Sequence, residues 1–224
     1  MTFKNELYIG SGIYTISDVS KILKLPYQKV YTWTNKYWDG ILASDIHEPY
    51  SVRIGSIKTI NFYALIEFYI LYLLGESGVR TRKVLDSHKE LSQLFNTKYP
   101  LAQKDIIEKI STDGERIYFN LHGSYLLLDG TKQFNLDFIE IFFKNLEFNK
   151  DLLASKFWPM GKKSSIVLDP ERQLGLPVIG KTNILPQSLF NLYKGGESVQ
   201  LIASLYDIDE NSVKDAIEFC QSAA

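Results

Sequence analysis

The stretch INFYALIEFYILYLLGESG, from Ile60 to Gly78, restricts the fold more than any other part of the chain. Apolar and aromatic side chains occupy nearly every side of the helix it would form, broken by Glu67, and Gly75 is placed to end it. A helix with no polar face must be covered all round, either by its own core or by another subunit. Its apolar run, Phe62 to Leu74, is 13 residues long. That falls short of the roughly 20 needed to cross a bilayer, so no membrane anchor is expected.

The length and aromatic content of the helix favour some of each kind of cover, its own core and another subunit. The chain has 224 residues, 45% hydrophobic and 23% charged, which suits two or three small cores rather than disorder. The formal charge of -1 gives no overall signal for nucleic acid. Its distribution says more: residues 1–100 hold 12 Lys/Arg against 9 Asp/Glu, residues 101–160 hold 7 against 9, and residues 161–224 hold 6 against 8. The positive end is the N-terminal one. Cys220 is the one cysteine and falls on an apolar helical stripe, so it reads as a small buried thiol of a reducing, cytoplasmic protein. The opening residues MTFKNELYIGSGIY lack a cationic segment followed by an apolar core, so export is not expected.

Tyr14 to Trp38 reads as two short helices. Thr15 with Asp18 three residues on resembles a capping box, with Asp shorter than the preferred Glu, and Ile16, Val19, Ile22 and Leu23 recur on one helical face. Leu25-Pro26 interrupts that helix, because the residue before a proline is pushed out of the helical region. A second helix then starts near Tyr27, with Val30, Trp33 and Tyr37 facing inward. This is the frame of a helix-turn-helix, whose second helix enters the major groove of DNA. Its outward residues would be Gln28, Lys29, Tyr31, Thr32, Asn35 and Lys36. Gln and Asn can pair with adenine, Lys can reach guanine or phosphate, and Tyr or Thr can bond phosphate oxygens. Tyr50-Ser-Val-Arg-Ile fits one strand of a wing whose Arg53 could meet phosphate, with Lys58 nearby. The same outward residues also suit an ordinary solvated helix face. Arg80, Arg82 and Lys83, at the start of a further helix that runs toward Leu94, form the densest basic cluster. Phosphate contact and a solvated helix start fit that cluster equally well.

The segment T-I-S-D-V-S-K-I-L-K-L-P-Y-Q-K-V-Y-T-W resembles the MerR-type winged helix, although Tyr31-Thr32 stand where that family carries arginines. The resemblance implies duplex DNA as a ligand, through Gln28, Lys29, Tyr31, Thr32, Asn35, Lys36 and Arg53.

Beyond Tyr99-Pro100, Arg116–Leu121 and Tyr125–Asp129 are β-rich and read as a hairpin closed by His122-Gly123-Ser124. Phe138 to Leu146 fits a helix or a strand. From Ser165 the pattern changes again. Ile166-Val167-Leu168 stops at Asp169-Pro170, and Val178-Ile179 sits between Gly175 and Gly180. Helical stripes follow, with Leu189 and Leu192, then Val199, Ile202, Ala203 and Tyr206 behind Ser198 as cap, then Val213, Ala216, Ile217 and Cys220 behind Asp209. The runs I-V-L-D-P-E-R, G-L-P-V-I-G-K-T-N-I and G-G-E-S-V-Q-L-I-A-S-L-Y-D-I resemble DUF433, a domain of unknown function common in bacterial antitoxins. Lys181-Thr182-Asn183-Ile184 departs from its usual G-T-R-I. The resemblance implies a VapB-like antitoxin that binds operator DNA and a PIN-like ribonuclease toxin, as a homodimer or a larger hetero-oligomer with the toxin.

Chemistry of the chain's own is not expected. His47, His88 and His122 lie far apart and read as surface or half-buried residues, and HExxH, CxxC, GxSxG and P-loop patterns are lacking. Asp169 and Glu171 are better explained by the turn at Pro170 than by a metal. The expected architecture is α+β and mostly α: a winged helix-turn-helix at 1–98, a small β-containing region at 99–160 and a helical, helix-turn-helix-like domain at 161–224. No cofactor is expected. A stand-alone regulator responding to a small effector is the competing reading, since it shares the DNA-binding half.

Overall fold

The computed structural model describes residues 10–112, 117–121, 124–127 and 143–221, with side chains for 10–110 and 143–221. It is α+β and mostly helical, with four small antiparallel sheets among the described residues. Strand β1 (Tyr14–Thr15) leads into helix α1 (Ile16–Leu23), then α2 (Tyr27–Thr32), which widens into a π-helical stretch, Trp33–Leu42. A short helix α3 (Ala43–Ile46) precedes the hairpin β2 (Ser51–Ile54) and β3 (Ile57–Ile60). Strand β3 lies between β1 and β2.

Local chemistry explains the first turn. Thr15 accepts from the Asp18 amide at 3.1 Å while the Asp18 carboxylate accepts from the Thr15 amide at 2.9 Å, satisfying donors that a helix start leaves open. Ile16, Val19, Ile22 and Leu23 are buried, as the spacing predicts. In the second helix Val30 and Trp33 point inward, but the next buried ring is Trp38, 1% exposed, and Tyr37 is half-buried. The π-helical turn is the reason. The Ala43 amide bonds the Trp38 carbonyl five residues back, so the buried face advances by five positions where an α-helix would advance by four.

Helix α4 (Phe62–Glu76) is the covered pillar, capped by Asn61, whose side chain accepts from the Ala64 amide at 3.0 Å. On one side Phe68 packs edge-on against Trp33 and Trp38, with ring centroids 5.6 and 4.6 Å away. On another Tyr69 meets Phe157 at 4.6 Å. The apolar helix therefore fills the core of its own chain. Glu67 within it is fully buried; its carboxylate accepts from Trp38 Nε1 at 2.8 Å, His88 Nε2 at 2.9 Å and the Leu101 amide at 3.3 Å. His88, which reads from sequence as a surface or half-buried residue, is 1% exposed because it serves this carboxylate. It stands on α5 (Thr81–Phe95).

After the short helix α6 (Lys104–Ile107) come β4 (Ile110–Thr112), β5 (Ile117–Leu121) and β6 (Ser124–Leu127), paired in sequence order. Leu121 pairs with Ser124, so the expected hairpin forms; of that stretch, residues 116, 122, 123, 128 and 129 lie outside the described residues. Residues 138–142 of the unassigned stretch lie outside the described residues; 143–145 are helical and Leu146 opens β7 (Leu146–Phe148), which pairs with β8 (Ala154–Phe157).

The C-terminal part pairs β9 (Ile166–Val167) with β10 (Val178–Ile179) and packs them with α7 (Pro186–Lys194), α8 (Val199–Tyr206) and α9 (Glu210–Gln221). Ser198 and Asp209 cap the last two helices through the Leu201 and Ser212 amides. Asp215 on α9 accepts from Ser165 N at 2.7 Å and fixes the first strand to the last helix. Asp169 is a structural carboxylate: it accepts from Arg172 Nε at 3.1 Å, and Arg172 also donates to the Gly180 and Thr182 carbonyls at 2.9 Å. Phe219 rather than Cys220 is the buried residue at the end of α9; Cys220 is half-buried, and burial pushes its thiol up to about 11.

The segment around β1 is stitched to the C-terminal part. Ile13 N donates to Leu174 O at 2.8 Å, and the buried Tyr14 hydroxyl donates to Gly175 O at 2.8 Å. Burial, with Asp169 and Asp18 adding, holds the Tyr14 hydroxyl well above the usual phenol range; burial, then the Glu67 carboxylate, does the same to Tyr50. In the unfolded chain both ionise near pH 10. Their raised folded pKa values thus favour the fold below about pH 10 and lose that effect as pH climbs toward the folded values. Thermal melts at pH 9 and pH 11 should show a lower midpoint at the higher pH, and phenolate absorbance from these two rings should appear only with unfolding.

Candidate nucleic-acid interface

Helix α2 and the β2–β3 wing border a groove of about 450 Å³, and the N-terminus of α1 closes one end with Thr15, Ile16 and Ser17. Tyr27, Tyr31 and Asn35 line it from the helix side, Arg53, Ser56, Ile57 and Lys58 from the wing. Tyr27 and Tyr31, one turn apart, stack with centroids 6.3 Å apart and remain 53% and 45% exposed. Their hydroxyls can donate to phosphate and their ring faces can pack on sugar or base.

Wing and helix are locked in register by Asp39. Its Oδ1 accepts from the amides of Tyr50 and Ser51 at 2.9 and 3.0 Å, and its Oδ2 from Lys58 Nζ at 2.8 Å. Lys58 Nζ also donates to Asn35 Oδ1 at 2.5 Å, while Asn35 Nδ2 donates to the Tyr31 carbonyl at 2.9 Å. Two readable side chains are thereby spent on geometry. Arg53 remains exposed, with a 3.4 Å bond to the Ser56 carbonyl across the hairpin turn.

Of the seven residues named from sequence, the fold brings Tyr31, Asn35 and Arg53 to the groove. Gln28, Lys29 and Lys36 are exposed and Thr32 half-buried on the same two-helix unit, outside the groove lining. Lys29 lies at the far margin, its ammonium 5.4 Å from the Trp33 ring and 5.9 Å from that of Tyr72. Lys36 is held 5.7 Å from the ring of Tyr37, and Thr32 donates back to the Gln28 carbonyl at 2.8 Å. Sequence reasoning missed Tyr27 and Asp39. Tyr27 carries a signal, being four residues before Tyr31 on a helix; Asp39 carries none, because its partners are reached only through the fold.

A second cavity, of about 220 Å³, lies between α1 and the C-terminal part, where Asp18, Lys21 and Ile22 face Leu176, Pro186 and Phe219. Among the described residues, no three His, Cys, Asp or Glu side chains are grouped to hold a metal. No helix of the described residues is long and apolar enough to cross a membrane.

Residues 166–220 match the family described as "Protein of unknown function (DUF433)", where the C-terminal motifs point. Over 236 residues the chain is 22% identical to a protein of Mycobacterium tuberculosis (strain ATCC 25618 / H37Rv) named "Putative antitoxin VapB45", covering 95% of each. The crystal structure of Rv2018 from Mycobacterium tuberculosis has the same fold, with a TM-score of 0.66 over 91% of this chain and 96% of that one, at 20% identity.

Proposed function

We propose that the chain is the antitoxin of a toxin–antitoxin pair. In this reading, residues 1–98 hold operator DNA, 99–160 connect, and 161–224 bind and neutralise a PIN-like ribonuclease. The observation that carries the reading is the end-to-end likeness to a protein named as an antitoxin. The α2–wing groove supports the DNA-binding half: it is exposed, its shape is fixed by Asp39, and it offers hydroxyls and a guanidinium rather than a catalytic set. Such a protein works by binding alone. The wing guanidinium neutralises one phosphate, Tyr27 and Tyr31 pack against the backbone, and the exposed Gln28 faces the base edges. The nuclease is silenced by occlusion of its active-site carboxylates or its RNA path.

The test is twofold. The gene is expected to have a ribonuclease encoded beside it, co-expression should rescue growth from that ribonuclease, and a gel shift on the fragment upstream of the gene should show specific binding. Arg53→Ala should weaken that binding for all sequences alike and reduce the slope of log K against log salt by about 1. An unaltered slope would remove the wing from the interface. A regulator responding to a small effector is favoured by one feature, the cavity between α1 and the C-terminal part. It is separated from the antitoxin by the absence of a nuclease partner on purification from the native host.

A further inference from the structure

The outer face of α8 is apolar where it meets solvent. Leu201 and Leu205, one turn apart, are 44% and 62% exposed, while Ile202 and Ala203 on the opposite side are locked in the core. The helix cannot roll to hide its leucines. Acidic residues mark both of its ends: Glu197 precedes it, and Asp207, Asp209 and Glu210 follow. From Gly195 to Gln221 five exposed carboxylate residues, Glu197, Asp207, Asp209, Glu210 and Glu218, stand against one lysine, and that one, Lys214, lies 3.9 Å from Glu210.

We infer that this face, two leucines rimmed by carboxylates, is the docking surface for a protein whose own surface is basic around an apolar groove. The inference rests on the reading of the chain as an antitoxin and assigns the occupant as the RNA-binding side of the ribonuclease. Leucines at i and i+4 on a presented helix are the anchors of helix-in-groove recognition. The rim then chooses among occupants. A second copy of this chain would meet the face about a two-fold axis and set the same carboxylates against each other. Nucleic acid would be repelled by them. A nuclease that binds RNA must carry a cationic surface along its substrate path, which complements the rim and is shut off when the rim covers it.

The experiment uses the full chain and the ribonuclease that the antitoxin reading expects in the adjacent reading frame, with affinity measured by titration calorimetry. The variant Leu201→Gln/Leu205→Gln should bind about 100-fold more weakly, in line with removal of two central anchors, with an unaltered thermal midpoint. Ile54→Ser, at the exposed wing tip, should leave the affinity unaltered. Raising salt from about 0.1 to about 0.5 M should weaken the native complex, because the rim charges are screened. Equal affinity of the double variant and the native chain would overturn the docking surface while leaving the antitoxin reading in place. A double variant that instead converts a dimer of this chain into monomers in light scattering would assign the face to a second copy. Failure of the native chain to bind the nuclease would sink both.

Discussion

Glu67→Leu is expected to lower stability by about 3–5 kcal/mol, because three buried donors lose their acceptor at a cost of at least about 1 kcal/mol each. The residue lies at the centre of α4 and receives three donors, from Trp38, His88 and the Leu101 amide. Leucine matches the surrounding apolar volume but leaves all three donors facing hydrocarbon, and unmade bonds are what cost most inside a core. Glu67→Gln should fall in between, because an amide keeps one acceptor oxygen and turns an N–H₂ group toward a donor. For a chain of this size the leucine variant corresponds to a fall in melting temperature on the order of 10 °C. Urea unfolding of the three proteins checks it, and an unaltered midpoint for Glu67→Leu would mean that the network is dispensable.

The second large effect is expected at Gly175. Its φ is +88°, a conformation that side-chain-bearing residues rarely adopt, and a Cβ there would fall within contact distance of Tyr14 Oη and 2.8 Å from Tyr14 Cζ. Gly175→Ala must twist the backbone, displace the buried ring and break the Tyr14 hydroxyl bond to the Gly175 carbonyl. Left-handed strain and one lost hydrogen bond together cost about 2–4 kcal/mol. Tyr14→Phe alone should cost about 1 kcal/mol. The double variant separates causes: if the clash with the hydroxyl dominates, the alanine costs less in the phenylalanine background, and additivity would assign the cost to the backbone instead.

Local features of this fold are legible in the sequence and distant ones are not. The Thr15–Asp18 capping box, the buried stripe of α1, the break at Pro26 and the Ser198 cap each depend on residues within a few positions. So does the wing hairpin, and with it the exposure of Arg53. The position of Trp38 escapes the three-and-four spacing because a π-helical turn displaces the register by one residue, which no pattern of apolar residues announces. His88 and Trp38 reach Glu67 across 21 and 29 residues, so a histidine that looks incidental becomes a core residue. The groove divides in the same way. Tyr31 is visible as an outward residue of a helix, whereas the tie from Asn35 through Lys58 to Asp39 spans helix and wing and appears only when both are in place.

Strand β1 belongs at once to the wing sheet, through Tyr14–Ile60 and Thr15–Thr59 pairing, and to the seam with the C-terminal part, through Tyr14 and Ile13. Cutting the chain before Ser165 would strip an aromatic ring at the base of the wing of its cover and strand its hydroxyl. The shape of the α2–wing groove is in this sense completed by residues more than 150 positions away, and a shortened N-terminal fragment would be a different object from the one the whole polypeptide builds.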